Sequence, residues 1–188
     1  MEKMEISLLD IVGSSTIFGS KKGQEAYAAI IGIIKKNPNY TVFEVCLDGI
    51  EAVDATFARE SVVNAAKFFR GQKAFLLTSS ETSKLSSSWS YAARVKDQPL
   101  LVLLKGNHHW IGDTITTAKQ ELVDYVYQRQ VVRSGDLAVK YDLPMAHAST
   151  KLRKLFDEGY LLRKKQTSST GGVEYTYHPI SQYTTPTR

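Results

Sequence analysis

Along the first two thirds of the chain, short continuous apolar runs alternate with apolar residues at helical spacing. Met4 to Val12 (MEISLLDIV) predicts a strand, followed by a loop through Gly13-Ser14-Ser15-Thr16 to Ser20. Ala26, Ile30, Ile33 and Ile34 recur at helical intervals and predict a helix from about Lys21 to Lys36, stopped at Asn37-Pro38-Asn39. Tyr40 to Leu47 predicts a second strand, apolar enough for the centre of a sheet. A helix then starts within Val53-Asp54-Ala55-Thr56 and runs to Phe69, with Gly71 ending it. Lys73 to Thr78 predicts a third strand, Glu81 to Val95 a Ser-rich helix carrying Trp89 and Tyr91, and Leu100 to Leu104 a fourth strand. Strands alternating with helices imply a mostly parallel α/β layer. After Asn107-His108-His109-Trp110 the pattern turns helical again, from about Asp113 to Arg129.

The last third has a different rhythm. Ser134 is expected to cap a short helix bearing Asp136 in its first turn and Leu137, Ala138 and Tyr141 on its apolar face. Asp142-Leu143-Pro144 breaks it, because the residue before a proline is pushed out of the helical region. A second helix is expected from Met145 to Glu158, with Leu152, Leu155 and Phe156 on one side. His147, Ser149, Thr150, Lys151, Arg153 and Lys154 occupy the other, and Gly159 ends the helix in the left-handed conformation. Two β-like runs follow, Tyr160 to Lys165 and Val173 to His178, joined by the neutral stretch from Thr167 to Gly172.

Two helices with a tight turn and then a hairpin with a basic root resemble the winged helix-turn-helix domains of bacterial transcription regulators. The resemblance implies double-stranded DNA as partner and a homodimer as the binding species. It places His147, Ser149 and Thr150 at base edges, Lys151, Arg153 and Lys154 at bases or phosphates, and Lys164 and Lys165 at the backbone or minor groove. Winged helices also dock proteins, so a protein-interaction role is the alternative. The domain boundaries expected are 1–112 for the α/β layer, 113–180 for the winged helix and 181–188 for a loose tail.

Charge favours nucleic acid. Residues 118–188 hold 11 Lys+Arg against 7 Asp+Glu, and residues 1–117 hold 13 against 12, so +4 of the net +5 lies in the smaller part. Such an asymmetry is the electrostatic footprint expected of phosphate contacts. Otherwise the composition is ordinary: 188 residues, 43% hydrophobic and 23% charged. No apolar run is long enough to span a bilayer, and the start of the chain has no signal-peptide pattern. The single Cys46, in the apolar run Val42 to Leu47, is expected to be a buried thiol. These features together predict a cytoplasmic protein.

The stretch LDGIEAVDATFARESV (47–62) follows a buried strand and opens a helix. It resembles the corresponding junction of STAS-like domains, the fold of bacterial anti-sigma-factor antagonists. The resemblance implies a sensing or partner-binding role and a phosphorylation site next to the aspartate. Ala55 stands at the usual acceptor position, and Thr56 is the nearest hydroxyl. The plainer reading is that Asp54 or Thr56 caps the helix, with Thr56 as the expected cap. Gly13 to Lys22 does not match a P-loop, because five residues separate its glycines and Ser20 follows Gly19. His108-His109 lacks a partner at metal-ligand spacing. No metal, no cofactor and no catalytic role are expected. The sequence therefore points to a DNA-binding regulator with a STAS-like domain; the alternative is a partner-switching module whose winged helix docks protein.

Overall fold

The computed structural model describes residues 1–80, 87–167 and 171–182. The chain is mixed α/β and divides into two compact units, Met1–Thr114 and Ile115–Arg188.

The first unit opens with β1 (Lys3–Ser7), α1 (Leu8–Val12), β2 (Thr16–Ile17), α2 (Ser20–Lys36), β3 (Val42–Cys46) and β4 (Ala52–Val53). It continues with α3 (Ala55–Ala58), a π-helical turn (Arg59–Val63), α4 (Asn64–Phe68), β5 (Ala74–Ser79), α5 (Ser87–Val95), β6 (Leu100–Leu104) and β7 (Asn107–Ile111). The five-stranded sheet has the order β1-β3-β5-β6-β7. Its first three pairings are parallel and the last is antiparallel. Phe43, Val45, Phe75, Leu77, Leu100 and Val102 point to one face and join the buried residues of α2, the α3–α4 segment and α5 in one core. Val42, Leu76 and Leu101, on the opposite face, are buried as well. Strands buried on both faces read as unbroken apolar runs, which is why β3, β5 and β6 are legible in the sequence.

Three expectations for this unit are corrected. The run Met4 to Val12 is a strand only as far as Ser7, where the Ser7 hydroxyl accepts the Asp10 N–H (3.2 Å) and starts α1. A continuous apolar run carries no period that separates strand from helix, so the serine cap and the left-handed Gly13 decide it. The stretch 107–111, expected to lead into a helix, is the antiparallel strand β7. Lys105 and Gly106, with φ of 48° and 81°, turn the chain back on β6. The helix α6 that follows begins only at Thr117. Cys46, at the end of β3, is half-buried rather than buried. Of the expected helix from Glu81 to Val95, residues 81–86 lie outside the described residues.

Gly23 marks the closest approach within the core. A Cβ there would lie 2.8 Å from Glu60 Cβ and 3.0 Å from the Phe57 carbonyl oxygen, so α2 can meet the α3–α4 segment only through glycine. Within that segment, the Ser61 hydroxyl donates to the Phe57 carbonyl (2.7 Å) beside the π-helical turn.

The second unit contains α6 (Thr117–Arg129), α7 (Ser134–Tyr141), α8 (Met145–Glu158), β8 (Leu162–Thr167) and β9 (Val173–His178). β8 and β9 form an antiparallel hairpin. Val132, between α6 and α7, bonds to Tyr177 in both directions (3.0 and 2.8 Å) and adds a third edge to it. Tyr127 of α6 is fully buried; its hydroxyl donates to the Tyr160 carbonyl (3.4 Å) and accepts the Ile180 N–H (3.3 Å), tying the helix to both ends of the hairpin. Ser181, expected to open a loose tail, is buried, and residues 183–188 lie outside the described residues.

Ser134 is the first residue of α7 rather than its cap. The Asp136 carboxylate accepts the Arg133 N–H (2.7 Å), which satisfies the start of the helix without the serine. Asp142 ends α7 in the left-handed region, and the Leu143 N–H bonds back to the Ala138 carbonyl (2.9 Å). The turn is thus set before Pro144, the residue ahead of α8. Gly159 closes α8 at φ 94°, where any other residue would be strained.

Candidate nucleic-acid interface

Helix α8 buries Ala148, Leu152, Leu155 and Phe156. Helical spacing therefore directs its remaining positions to solvent, and His147, Ser149, Thr150, Lys151, Arg153 and Lys154 are all exposed. They do not form one patch. At about 100° per residue, His147, Thr150, Arg153 and Lys154 share the outward face, while Ser149 and Lys151 lie on opposite flanks roughly 160° apart.

The donors differ in what they already do. The Thr150 hydroxyl donates to the Ala146 carbonyl (2.8 Å), so its hydrogen is engaged within the helix. Arg153 pairs with Asp157 (3.4 Å) and Lys154 with Glu158 (4.0 Å), each one turn further along. Glu158 also meets Lys119 of α6 (2.7 Å). Arg153, Lys154 and Asp157 are solvent-exposed and Glu158 half-buried, so the two pairs within α8 are weak. Lys151 makes no ion pair among the described residues.

The hairpin supplies a second group. Arg163, Lys164 and Lys165 are consecutive on β8, and none of them forms an ion pair among the described residues. Strand alternation sends Lys164 to one face of the ribbon, opposite Thr176, and Arg163 and Lys165 to the other, opposite Tyr177 and Tyr175. The structure thus separates the two lysines that the sequence groups together.

Arg163 is half-buried and was not among the residues singled out from the sequence. Its guanidinium carbon lies 4.4 Å from the ring centre of Phe156 on α8 and 4.2 Å from that of Tyr175 on β9. The signal that would have found it is the β8–β9 register, which no local pattern contains. On the Lys164 face, His178 Nε2 lies 2.9 Å from the Thr176 hydroxyl. Burial, and then the Lys164 charge, hold the His178 imidazole below its usual value. Residues 168–170 of the loop joining the strands lie outside the described residues.

In the first unit, Asp54 rather than Thr56 caps α3. Its carboxylate accepts the Phe57 N–H (2.7 Å) and also the Gly19 N–H at the start of α2 (3.1 Å to each oxygen). One side chain therefore serves two helix starts, and the N-terminal end of α2 in the glycine-rich stretch 13–22 already faces a carboxylate. Thr56 is a half-buried residue of the first turn.

His108 and His109 are paired with Leu103 and Val102 and so point to opposite faces of the sheet. Burial is the main reason that both imidazoles lie below their usual value. Among the described residues, no group of three or more His, Cys, Asp or Glu is placed to hold a metal ion, and no helix is long and apolar enough to cross a membrane. Compared with known protein families and with curated proteins, the chain finds no match.

Proposed function

We propose that residues of the second unit form a winged helix-turn-helix that binds double-stranded DNA, and that the chain is a transcription regulator of the bacterial kind. In this reading α7 and α8 are the helix-turn-helix, α8 enters the major groove, and the β8–β9 hairpin is the wing. The first unit is a STAS-like domain that binds a signal or protein partner, and two copies of the chain bind as a homodimer. The observation that carries the reading is the set of cations without an ion pair among the described residues. Lys151 lies on α8 and Arg163, Lys164 and Lys165 on β8, so the excess charge gathers on the two elements that would meet a duplex.

The test is titration of labelled duplexes of several sequences at about 50 and about 200 mM salt. The wild-type chain should bind more weakly at the higher salt. Changing Lys151 and Lys154 together to Ala should weaken binding to every duplex and lower the salt slope by about 0.9 for each phosphate that is no longer neutralised. Unchanged affinity in the double variant would remove α8 from the interface.

One observation favours a second reading, in which the winged helix docks protein. Arg153 and Lys154 are opposed by Asp157 and Glu158, which leaves α8 with little net charge toward a polyanion. A protein-docking unit would show no salt-dependent affinity for duplex DNA, so the same titration separates the two readings.

A further inference from the structure

The DNA-binding reading assigns the wing's contacts to exposed lysines, yet the most constrained cation of the hairpin is Arg163. Two aromatic rings flank its guanidinium, one from α8 and one from β9, and it makes no hydrogen bond or ion pair among the described residues. Packing alone does not account for a charge here, because a methionine or leucine would fill the space between Phe156 and Tyr175 without bringing a third consecutive cation beside Lys164 and Lys165. Cation–π contact with both rings offsets part of that cost, and it leaves the guanidinium N–H groups without a protein acceptor among the described residues. A guanidinium placed between two rings, half-exposed and without an acceptor among the described residues, matches a phosphate group, which accepts two parallel N–H bonds.

We propose that Arg163 is a phosphate-binding residue of the interface, held for that contact by Phe156 and Tyr175; the inference rests on the DNA-binding reading above. Holding the side chain in advance removes rotamer freedom before binding, so less is lost when the phosphate arrives. Lys165 extends from the same face of the ribbon, so the two together would follow one strand of the duplex backbone. Because Phe156 belongs to α8, the contact also fixes the hairpin relative to the helix that reads the groove. Arg163 and Lys165 would carry no sequence information of their own. Tyr175 is a positioning residue and touches no DNA in this scheme.

The experiment uses the full chain and short fluorescein-labelled duplexes of several sequences, with thermal melting run in parallel. Arg163→Gln should lose about tenfold in affinity for every duplex and about 0.9 of the salt slope, the loss expected for one phosphate. Tyr175→Leu keeps the charge but not the ring; it should weaken binding with the salt slope retained, and Tyr175→Phe should restore wild-type affinity. If Arg163→Gln fails to fold, Arg163→Lys replaces it: a lysine lacks the fork, so binding should weaken while the slope stays. Wild-type affinity and slope in Arg163→Gln, or in Arg163→Lys where the glutamine variant does not fold, would overturn the assignment. A loss confined to some sequences would overturn it as well, since it would mean a base contact. If the wild-type chain shows no salt-dependent duplex binding, the DNA reading falls and takes this inference with it; binding by wild type that is unaffected at Arg163 removes this inference alone.

Discussion

Asp54 and Thr56 sit two positions apart at one helix start, and only the carboxylate reaches the orphaned N–H groups. Asp54 accepts from Phe57 and from Gly19, so it joins α3 to the start of α2. Asp54→Ala should therefore cost on the order of 2 kcal/mol, a cap together with a bond to a charged acceptor. Thr56→Ala should cost less than about 0.5 kcal/mol, the range of substitutions away from such features. Chemical denaturation of the two variants checks the order, and an equal loss in both would contradict it. A phosphate on Thr56 would lie near the Asp54 carboxylate, whose repulsion opposes the attraction of the helix start. His178 gives the second prediction at this scale. Its folded-state pKa lies below the usual 6.5, so the unfolded chain binds the proton first. The stability it contributes is intact above 6.5 and declines as the pH falls from there through the folded value. A proton NMR titration should place the imidazole midpoint below 6.5, and Lys164→Ala should raise it; a midpoint at or above the free value would show the burial to be ineffective.

At the scale of elements, the hairpin decides more than the helix beside it. Consecutive residues of a strand face opposite ways, so Lys164 and Lys165 cannot both lie against the same stretch of backbone. Lys165 shares its face with Arg163 and with the Phe156 side of α8. Lys165→Ala should accordingly weaken duplex binding several-fold more than Lys164→Ala, with sequence preference unchanged in both, as an anisotropy titration would show. Equal losses would mean that the wing lies edge-on to the duplex. On α8 the same logic sets His147, Thr150, Arg153 and Lys154 toward one surface and leaves Ser149 and Lys151 at its margins. In the DNA-binding reading, base contacts are expected from the first set. Lys151, placed at a flank without an ion pair among the described residues, suits phosphate.

For the whole molecule, the relevant fact is that the charge excess and the proposed interface lie in the same unit. Tyr127, Val132, Tyr160 and Ile180 bind α6, the bridging segment and both ends of the hairpin through bonds made within that unit. If the DNA-binding reading holds, a fragment of residues 115–188 should consequently melt cooperatively and show salt-dependent affinity for duplex DNA, less whatever the proposed dimer needs from the rest of the chain. Circular dichroism and the same titration would check it. A fragment that folds but no longer binds would place part of the interface in the first unit.

What the sequence determined by itself is whatever rests on neighbours within a turn or two. Leu152, Leu155 and Phe156 at helical spacing, closed by Gly159, define α8, and Leu100 to Leu104 and Val173 to His178 carry their strands in their own composition. The alternation that makes the first unit α/β is legible for the same reason. Tertiary structure decided the rest. The strand β7 exists because Lys105 and Gly106 return the chain to β6, and its two histidines and lone tryptophan hold no period that names a strand. The break at Ser7 is the exception: its signals, the Ser7 cap and the left-handed Gly13, are local, but the apolar run around them suits a strand as well as a helix. Asp54 caps α3 through a local bond to Phe57, but its second partner, Gly19, is 35 residues away and only the fold brings it there. Arg163 was invisible for the same cause: its environment is made by Phe156 and Tyr175, which only the packing of α8 on the paired strands brings to one place. Local order needs only a few adjacent side chains, whereas a site depends on residues distant in the chain meeting one another, and those meetings are set by the fold.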